Sequence, residues 1–188
     1  MQIVKSQIKK LDINILQSHV HPKDTITLMR DGEPYQLLAY LSTLINYGLL
    51  IDIGTYRGLS AVALGFNPTN LVWSYDIQKF DVLCTLPNVQ FFIHNLVDNM
   101  FPVSHAQLIH IDVLPHNGEQ EDLFIKSLVK NHFQGIVVLD DINYKDWPEL
   151  RRWWNQFDLD IPKYDLTDVG HFSGTGLLDF SRQVVINE

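Results

Sequence analysis

The sequence is poorest in cysteine. Cys84 stands alone among 188 residues, so no intramolecular disulfide can form and a thiolate metal cluster within one chain is excluded. A lone thiol fits a reducing compartment, and a cytoplasmic location is the expectation. Basic side chains are also scarce, 14 against 22 acidic ones, for a formal charge of -8. That balance repels a phosphate backbone or an anionic bilayer, which argues against nucleic acid and membrane as partners. There is no polyacidic or polybasic run, no fixed-period repeat and no low-complexity segment, so charged tails, solenoids and linkers are set aside. Long apolar runs are missing too. Leu49 to Ile51 and Ile136 to Leu139 fall far short of the roughly 20 residues that span a bilayer. At the N-terminus Lys5, Lys9, Lys10 and Asp12 interrupt the apolar residues, unlike a signal peptide, and the segment reads as mature protein.

What the chain does have is apolar material, 46% hydrophobic and 11% aromatic. This suffices for one buried core in a length too short for two ordinary domains. The expectation is a single domain over 1–188, with 1–30 as an N-terminal extension. Short apolar runs of strand length recur at Leu49–Ile53, Leu71–Tyr75, Val89–Ile93, Ala106–Ile111 and Gly135–Leu139, with helical signals between them. Pro34 opens a helix whose face is Leu37, Leu41, Leu44 and Ile45, ending at Gly48. Glu119 to Phe133 carries an acidic first turn that suits a helix dipole. Asp146-Trp-Pro-Glu149 reads as a capping box before a third helix. Alternating strands and helices imply an α/β fold, a doubly wound and mostly parallel sheet with right-handed crossovers. Ile161–Leu166 and Gly176–Phe180, separated by a glycine-rich stretch, add a closing antiparallel hairpin for seven strands in all. Near the N-terminus Ile3, Val4, Ile8 and Leu11 suggest a short helix, and His19 and His21 read as surface imidazoles.

Chemistry concentrates at strand ends. In Leu50-Ile-Asp-Ile-Gly-Thr-Tyr-Arg-Gly-Leu-Ser60 an apolar strand breaks into two glycines and a short helix. Gly54 and Gly58 let a ligand approach the backbone, and Asp52 adds a carboxylate at the rim. A dinucleotide fingerprint would need G-x-G-x-x-G, and a carboxylate beside a pyrophosphate is unfavourable, so NAD and FAD are disfavoured. Asp76 closes the second strand, where an acid can accept hydrogen bonds from both ribose hydroxyls. The pattern resembles the Asp/Glu-x-Gly-x-x-x-Gly motif of class I S-adenosylmethionine-dependent methyltransferases. That resemblance implies an S-adenosylmethionine site contacted by Asp52, Gly54, Thr55, Gly58, Ser60, Asp76, Ile77, Asn95, Leu96 and Asp112.

The fourth and fifth strands end in Asp112 and in Asp140-Asp141. Successive parallel strands present these ends on one rim, so three carboxylates converge, and their repulsion calls for a cation or a protonated member. Oxygen-only ligands favour Mg²⁺, Mn²⁺ or Ca²⁺ over zinc. The arrangement, from about Leu37 to Asn155, resembles the metal-dependent O-methyltransferases of the catechol and macrocin type. The resemblance implies a metal site of Asp112, Asp140 and Asp141. Catechol-type enzymes place a Lys three residues past the first metal Asp. Here that position is Pro115, which leaves His116 as the nearest base beside Asp112 in the catalytic set. The alternative reading has Asp140 and Asp141 capping a turn or pairing with Arg151 and Arg152. Trp147 and Trp154 fit a helical stripe, leaving Trp153 as a substrate contact.

The expected function is methyl transfer to an oxygen of a small-molecule acceptor. Base methylation is disfavoured because the Asn/Asp-Pro-Pro-Tyr motif is absent after strand four. The alternatives are a non-catalytic S-adenosylmethionine or nucleoside binder and a metal-dependent hydrolase built on the Asp cluster. Acceptor binding is expected from the first 30 or so residues, from loops such as His94 to Pro102, or from a partner subunit in a homodimer. Gly54→Val is expected to fill adenosine space while leaving the fold largely intact.

Overall fold

A computed structural model describes residues 1–96 and 103–188; most of the expected acceptor loop from His94 to Pro102 lies outside the described residues. The strands of the main sheet are β2 (Leu49–Ile53), β3 (Leu71–Asp76), β4 (Val89–Ile93), β5 (Leu108–Ile111), β6 (Ile136–Asp140), β7 (Lys163–Asp165) and β8 (Thr175–Asp179). Their order is β4-β3-β2-β5-β6-β8-β7. All neighbours pair in parallel except β8, which runs antiparallel to β6 and β7. The expected α/β class and the closing hairpin are present. The order reverses between β2 and β5, and open α/β sheets bind ligands outside the carboxyl ends of the strands at such a point.

Alternation along β2 sorts its side chains. Leu50 packs toward α3 (Tyr35–Thr43) and α4 (Leu59–Leu64), in a layer with Leu37, Leu41 and Leu64. Ile51 and Ile53 face the opposite layer with Phe124, Ile125 and Leu128 of α5 (Glu119–Lys130) and Trp154 of α6 (Pro148–Gln156). Burying such apolar side chains contributes about 1.5–3 kcal/mol each before entropy is counted. Sheet faces covered on both sides account for the near-continuous apolar runs of the central strands β2, β5 and β6.

Local chemistry departs from expectation in three places. The capping box before α6 does not form: Trp147 is the N-cap residue, without a side-chain cap bond, and Pro148 takes the first helical position, where its missing N–H costs nothing. Pro34 likewise caps α3 from outside. Ile3 and Val4 are not helical. They belong to β1 (Gln2–Val4), which pairs in parallel with β9 (Val185–Asn187), while α1 (Lys5–Ile8) and α2 (Thr25–Leu28) are single turns. The pairing buries Ile3 completely, a tertiary gain that local pattern does not reveal.

At the amino ends of the strands, asparagines make a seam. Asn70 Nδ2 donates to the carbonyls of Ser42 (2.9 Å) and Ile45 (3.0 Å), and its Oδ1 accepts from Gly48 N (3.0 Å). Asn88 Nδ2 donates to the carbonyls of Gly65 and Asn70, each at 3.1 Å. No helix among the described residues is long and apolar enough to cross a membrane.

Candidate active site

A cavity of about 530 Å³ opens at the carboxyl ends of β2, β3 and β5, within the size range of small-molecule sites. Gly54, Asp76, Ile77, Asn95, Leu96, Asp112 and His116 line it, together with the rings of Tyr56, Tyr75 and Phe80. Asp76 ends β3 with its carboxylate oriented by two backbone donors, Tyr56 N (3.4 Å) and Gln78 N (3.2 Å). Both bonds are long, and a carboxylate has lone pairs left for a ligand.

Four residues expected at the cofactor lie elsewhere. Asp52 alternates into the α3/α4 layer, beside Ser74 and His110 in the sheet register, and is fully buried. Ser74 Oγ donates to it at 2.7 Å, and His110 Nδ1 lies 2.9 Å from its other oxygen. Its charge is therefore engaged inside the sheet, which corrects the expectation of a rim carboxylate. Thr55 Oγ1 extends this chain to Ser74 Oγ at 2.7 Å. Gly58, with φ 75°, starts α4 and leaves room for Val82 and Phe91. Ser60 is buried within α4. These residues hold the loop in place without lining the cavity. Gly54 does line it, but a Cβ there would stand 1.8 Å from the Asp112 carbonyl oxygen, with φ already at 102°. Its missing side chain serves the meeting of two loops, so a larger residue attacks the fold as well as the ligand space.

From Asp112 and His116, which line the cavity, a cluster runs on through Asp141 to Asp140, His171 and Glu33. His116 Nε2 lies 3.6 Å from Asp112 Oδ1 and 3.5 Å from Asp141 Oδ2, and Trp147 packs against its ring at 5.3 Å. His171 Nδ1 lies 2.9 Å from Asp140 and 3.5 Å from Asp141, and its Nε2 is 3.7 Å from Glu33. Two groups of donor atoms, Asp112–His116–Asp141 and Asp140–Asp141–His171, each fit within 4.8 Å and share Asp141. Among the described residues no ion pair links Asp140 or Asp141 to Arg151 or Arg152. Trp153, expected as a substrate contact, instead lies over Gly118 and directs its ring N–H to Asp122.

The electrostatics follow from crowding. Burial, then the neighbouring Asp140, pushes the Asp112 and Asp141 carboxyls above their usual range. Asp112 is 43% exposed, which tempers the effect. Burial lowers His116, so its imidazole is neutral near pH 7. Burial also lowers His171, but the Asp140 hydrogen bond and charge outweigh it and the net direction is upward.

Sequence reasoning missed His171 and Glu33. Each lies in a short loop beside glycine, Gly170-His171 and Gly32-Glu33; Phe172 N donates to Gly32 O at 2.7 Å, which fastens one loop to the other. A polar residue in a glycine-rich turn was the available signal. Two imidazoles stand among the carboxylates that the oxygen-only expectation named.

No family model matches the sequence, and no curated protein does. Solved structures do. A Staphylococcus aureus protein provisionally described as a caffeoyl-CoA O-methyltransferase superposes with TM-score 0.61 at 11% identity, covering 93% of this chain and 98% of that one. The methyltransferase PaMTH1 of Podospora anserina, bound to S-adenosylhomocysteine, gives 0.56 at 14%, covering 77% and 76%. A S-adenosylmethionine-dependent O-methyltransferase of Thermotoga maritima gives 0.52 at 12%, covering 88% and 72%. The chain has the methyltransferase fold. At these identities the likeness speaks for architecture, and the chemistry of this methyltransferase-like chain rests on its own side chains.

Proposed function

We propose that the protein transfers a methyl group from S-adenosylmethionine to an oxygen of a small-molecule acceptor, with a divalent cation at the acidic rim. One observation carries this reading: a single cavity has the oriented Asp76 carboxylate on one wall and the Asp112–His116 edge of the donor cluster on another. The residues fit the cofactor. Asp76 accepts from ribose hydroxyls, with Asn95 and Leu96 on the same cavity wall for the base. Bound there, S-adenosylmethionine supplies an electrophilic methyl group.

The donor set also fits a cation, since Asp112 with His116 and Asp140 with His171 each bring donor atoms within 4.8 Å of a carboxylate oxygen of Asp141, and crowded carboxylates favour a bound cation. When bound, such a cation lowers the pKa of a coordinated hydroxyl. His116, kept neutral by burial, takes the acceptor proton at Nε2. Holding the acceptor beside this base converts an encounter into an aligned reaction.

Calorimetry with S-adenosylmethionine and S-adenosylhomocysteine, with and without Mn²⁺, tests the reading. Binding of both nucleosides is expected, and Asp141→Asn should weaken Mn²⁺ binding while sparing them. A chain that binds neither nucleoside would sink the proposal. Binding without any effect of metal would leave the cofactor half and remove the cation half.

A further inference from the structure

His171 Nδ1 is over-subscribed. Within 3.5 Å it faces both oxygens of Asp140 (2.9 and 3.0 Å), one of Asp141 (3.5 Å) and the Ser173 hydroxyl (2.7 Å). Whatever the charge of the ring, Nδ1 offers one proton or one lone pair, so a single hydrogen bond cannot serve all four oxygens, of which Asp140 Oδ1 also accepts from Asp141 N at 2.9 Å. A cation can.

The opposite face of the ring supports the same conclusion. Glu33, largely buried, lies 3.7 Å from His171 Nε2. Metal-bound histidines commonly direct the second ring N–H at a carboxylate, which fixes the tautomer and leaves the other nitrogen free to coordinate. A second, independent side chain points into the cluster. His116 is 7% exposed and approaches Asp141 Oδ2 and Asp112 at 3.5 and 3.6 Å without a hydrogen bond to either. Asp141 thus turns one oxygen to each imidazole. Donors about 2.1 Å from a common ion stand roughly 3.0–3.4 Å apart, close to the 2.9 and 3.5 Å that separate His171 Nδ1 from Asp140 and Asp141.

We propose that His171, through Nδ1, is a metal ligand together with Asp140 and Asp141, that Glu33 positions its ring, and that the site therefore selects a transition ion such as Mn²⁺, Co²⁺ or Zn²⁺ over Mg²⁺ or Ca²⁺. This rests on the cation reading above and adds to it a ligand and the class of ion. Imidazole suits transition ions, whereas hard cations prefer an all-oxygen shell.

The test titrates metal-stripped full-length protein with CoCl₂, followed by visible absorption, and with MgCl₂, followed by calorimetry. Co²⁺ should bind about tenfold tighter than Mg²⁺ or more. His171→Gln should remove that margin, and His171→Asp, which replaces nitrogen by oxygen, should move the preference toward Mg²⁺. Glu33→Ala keeps the ligand and removes the acceptor facing Nε2, so Co²⁺ affinity should fall roughly tenfold; it provides the same readout should the His171 variants not fold. S-Adenosylhomocysteine affinity should hold in every folded variant. Equal Co²⁺ and Mg²⁺ affinities, or unchanged Co²⁺ affinity in His171→Gln, would overturn the role of His171 while leaving a cation at the rim. No binding of either metal by protein that still binds S-adenosylhomocysteine would remove the cation reading and this inference with it.

Discussion

β2 and β6 end on the same rim and solve different problems there. β2 exits by subtracting side chains: Gly54 lets the loop after β2 lie against the Asp112 carbonyl, and the cavity beside it is walled largely by apolar rings. β6 exits by adding charge, with Asp140 and Asp141 followed across space by His116, His171 and Glu33. The first half is built from residues at and just past the ends of successive strands, β2, β3 and β4. The second is assembled from four separate stretches of chain. The halves touch at Gly54 and Asp112, so the cofactor wall and the charged wall are mechanically one object at that point and chemically two everywhere else.

The largest effect should come from breaking that contact. Gly54→Val puts a branched side chain at φ 102°, with its Cβ 1.8 Å from a backbone carbonyl oxygen, and should cost more than about 3 kcal/mol of stability. Thermal unfolding by circular dichroism reads it. An unfolding midpoint equal to the wild type would show that the halves are independent after all.

Next is Glu121, in the first turn of the helix that follows the His116 loop. It is 2% exposed, its Oε2 has no hydrogen-bond partner, and burial pushes its carboxyl up to about 7 from an ordinary 4.5. An acid whose folded pKa exceeds its unfolded one binds more protons in the folded state between those values. Its contribution is therefore lost as pH rises from about 4.5 to about 7. Glu121→Gln should leave stability near pH 4.5 little changed and raise it at pH 8, by at most on the order of 3 kcal/mol. A variant with the wild-type pH profile in urea unfolding would refute this.

The smallest effect sharpens the division between the halves. Asp76→Ala should weaken S-adenosylhomocysteine binding about tenfold, or about 1.4 kcal/mol, while Co²⁺ affinity stays put. Parallel losses of both in calorimetry would mean that the two walls communicate beyond their contact.

Legibility in the sequence follows the same division. Periodicity exposes the central strands β2, β5 and β6 because both faces of the sheet are covered there and their runs are apolar almost throughout. That Gly54, Asp76, Asn95 and Asp112 share one cavity is readable because parallel strands deliver their ends to one rim in a fixed order. Asp52 is misread for the same reason that strands are easy: a one-residue step reverses the face, and its partners Ser74 and His110 reach it only across the sheet register. His171 and Glu33 escape notice because their loops meet through a backbone bond between residues far apart in the chain, and no local spacing encodes that contact. β1 and β9 hide likewise, each too short to declare itself without the other.

The asparagine seam bears on how a ligand gets in. Gly48, Leu71 and Val72 donate their amides into it or onto the strands it ties, at 3.0, 2.8 and 2.8 Å, whereas the Tyr56 and Gln78 amides at the rim rest on longer bonds to one carboxylate. Local opening is then graded along each strand. Amide hydrogen exchange should slow toward Gly48 and quicken toward Tyr56, and the sheet would breathe at its mouth about a fixed root, opening the cavity without any element leaving its place.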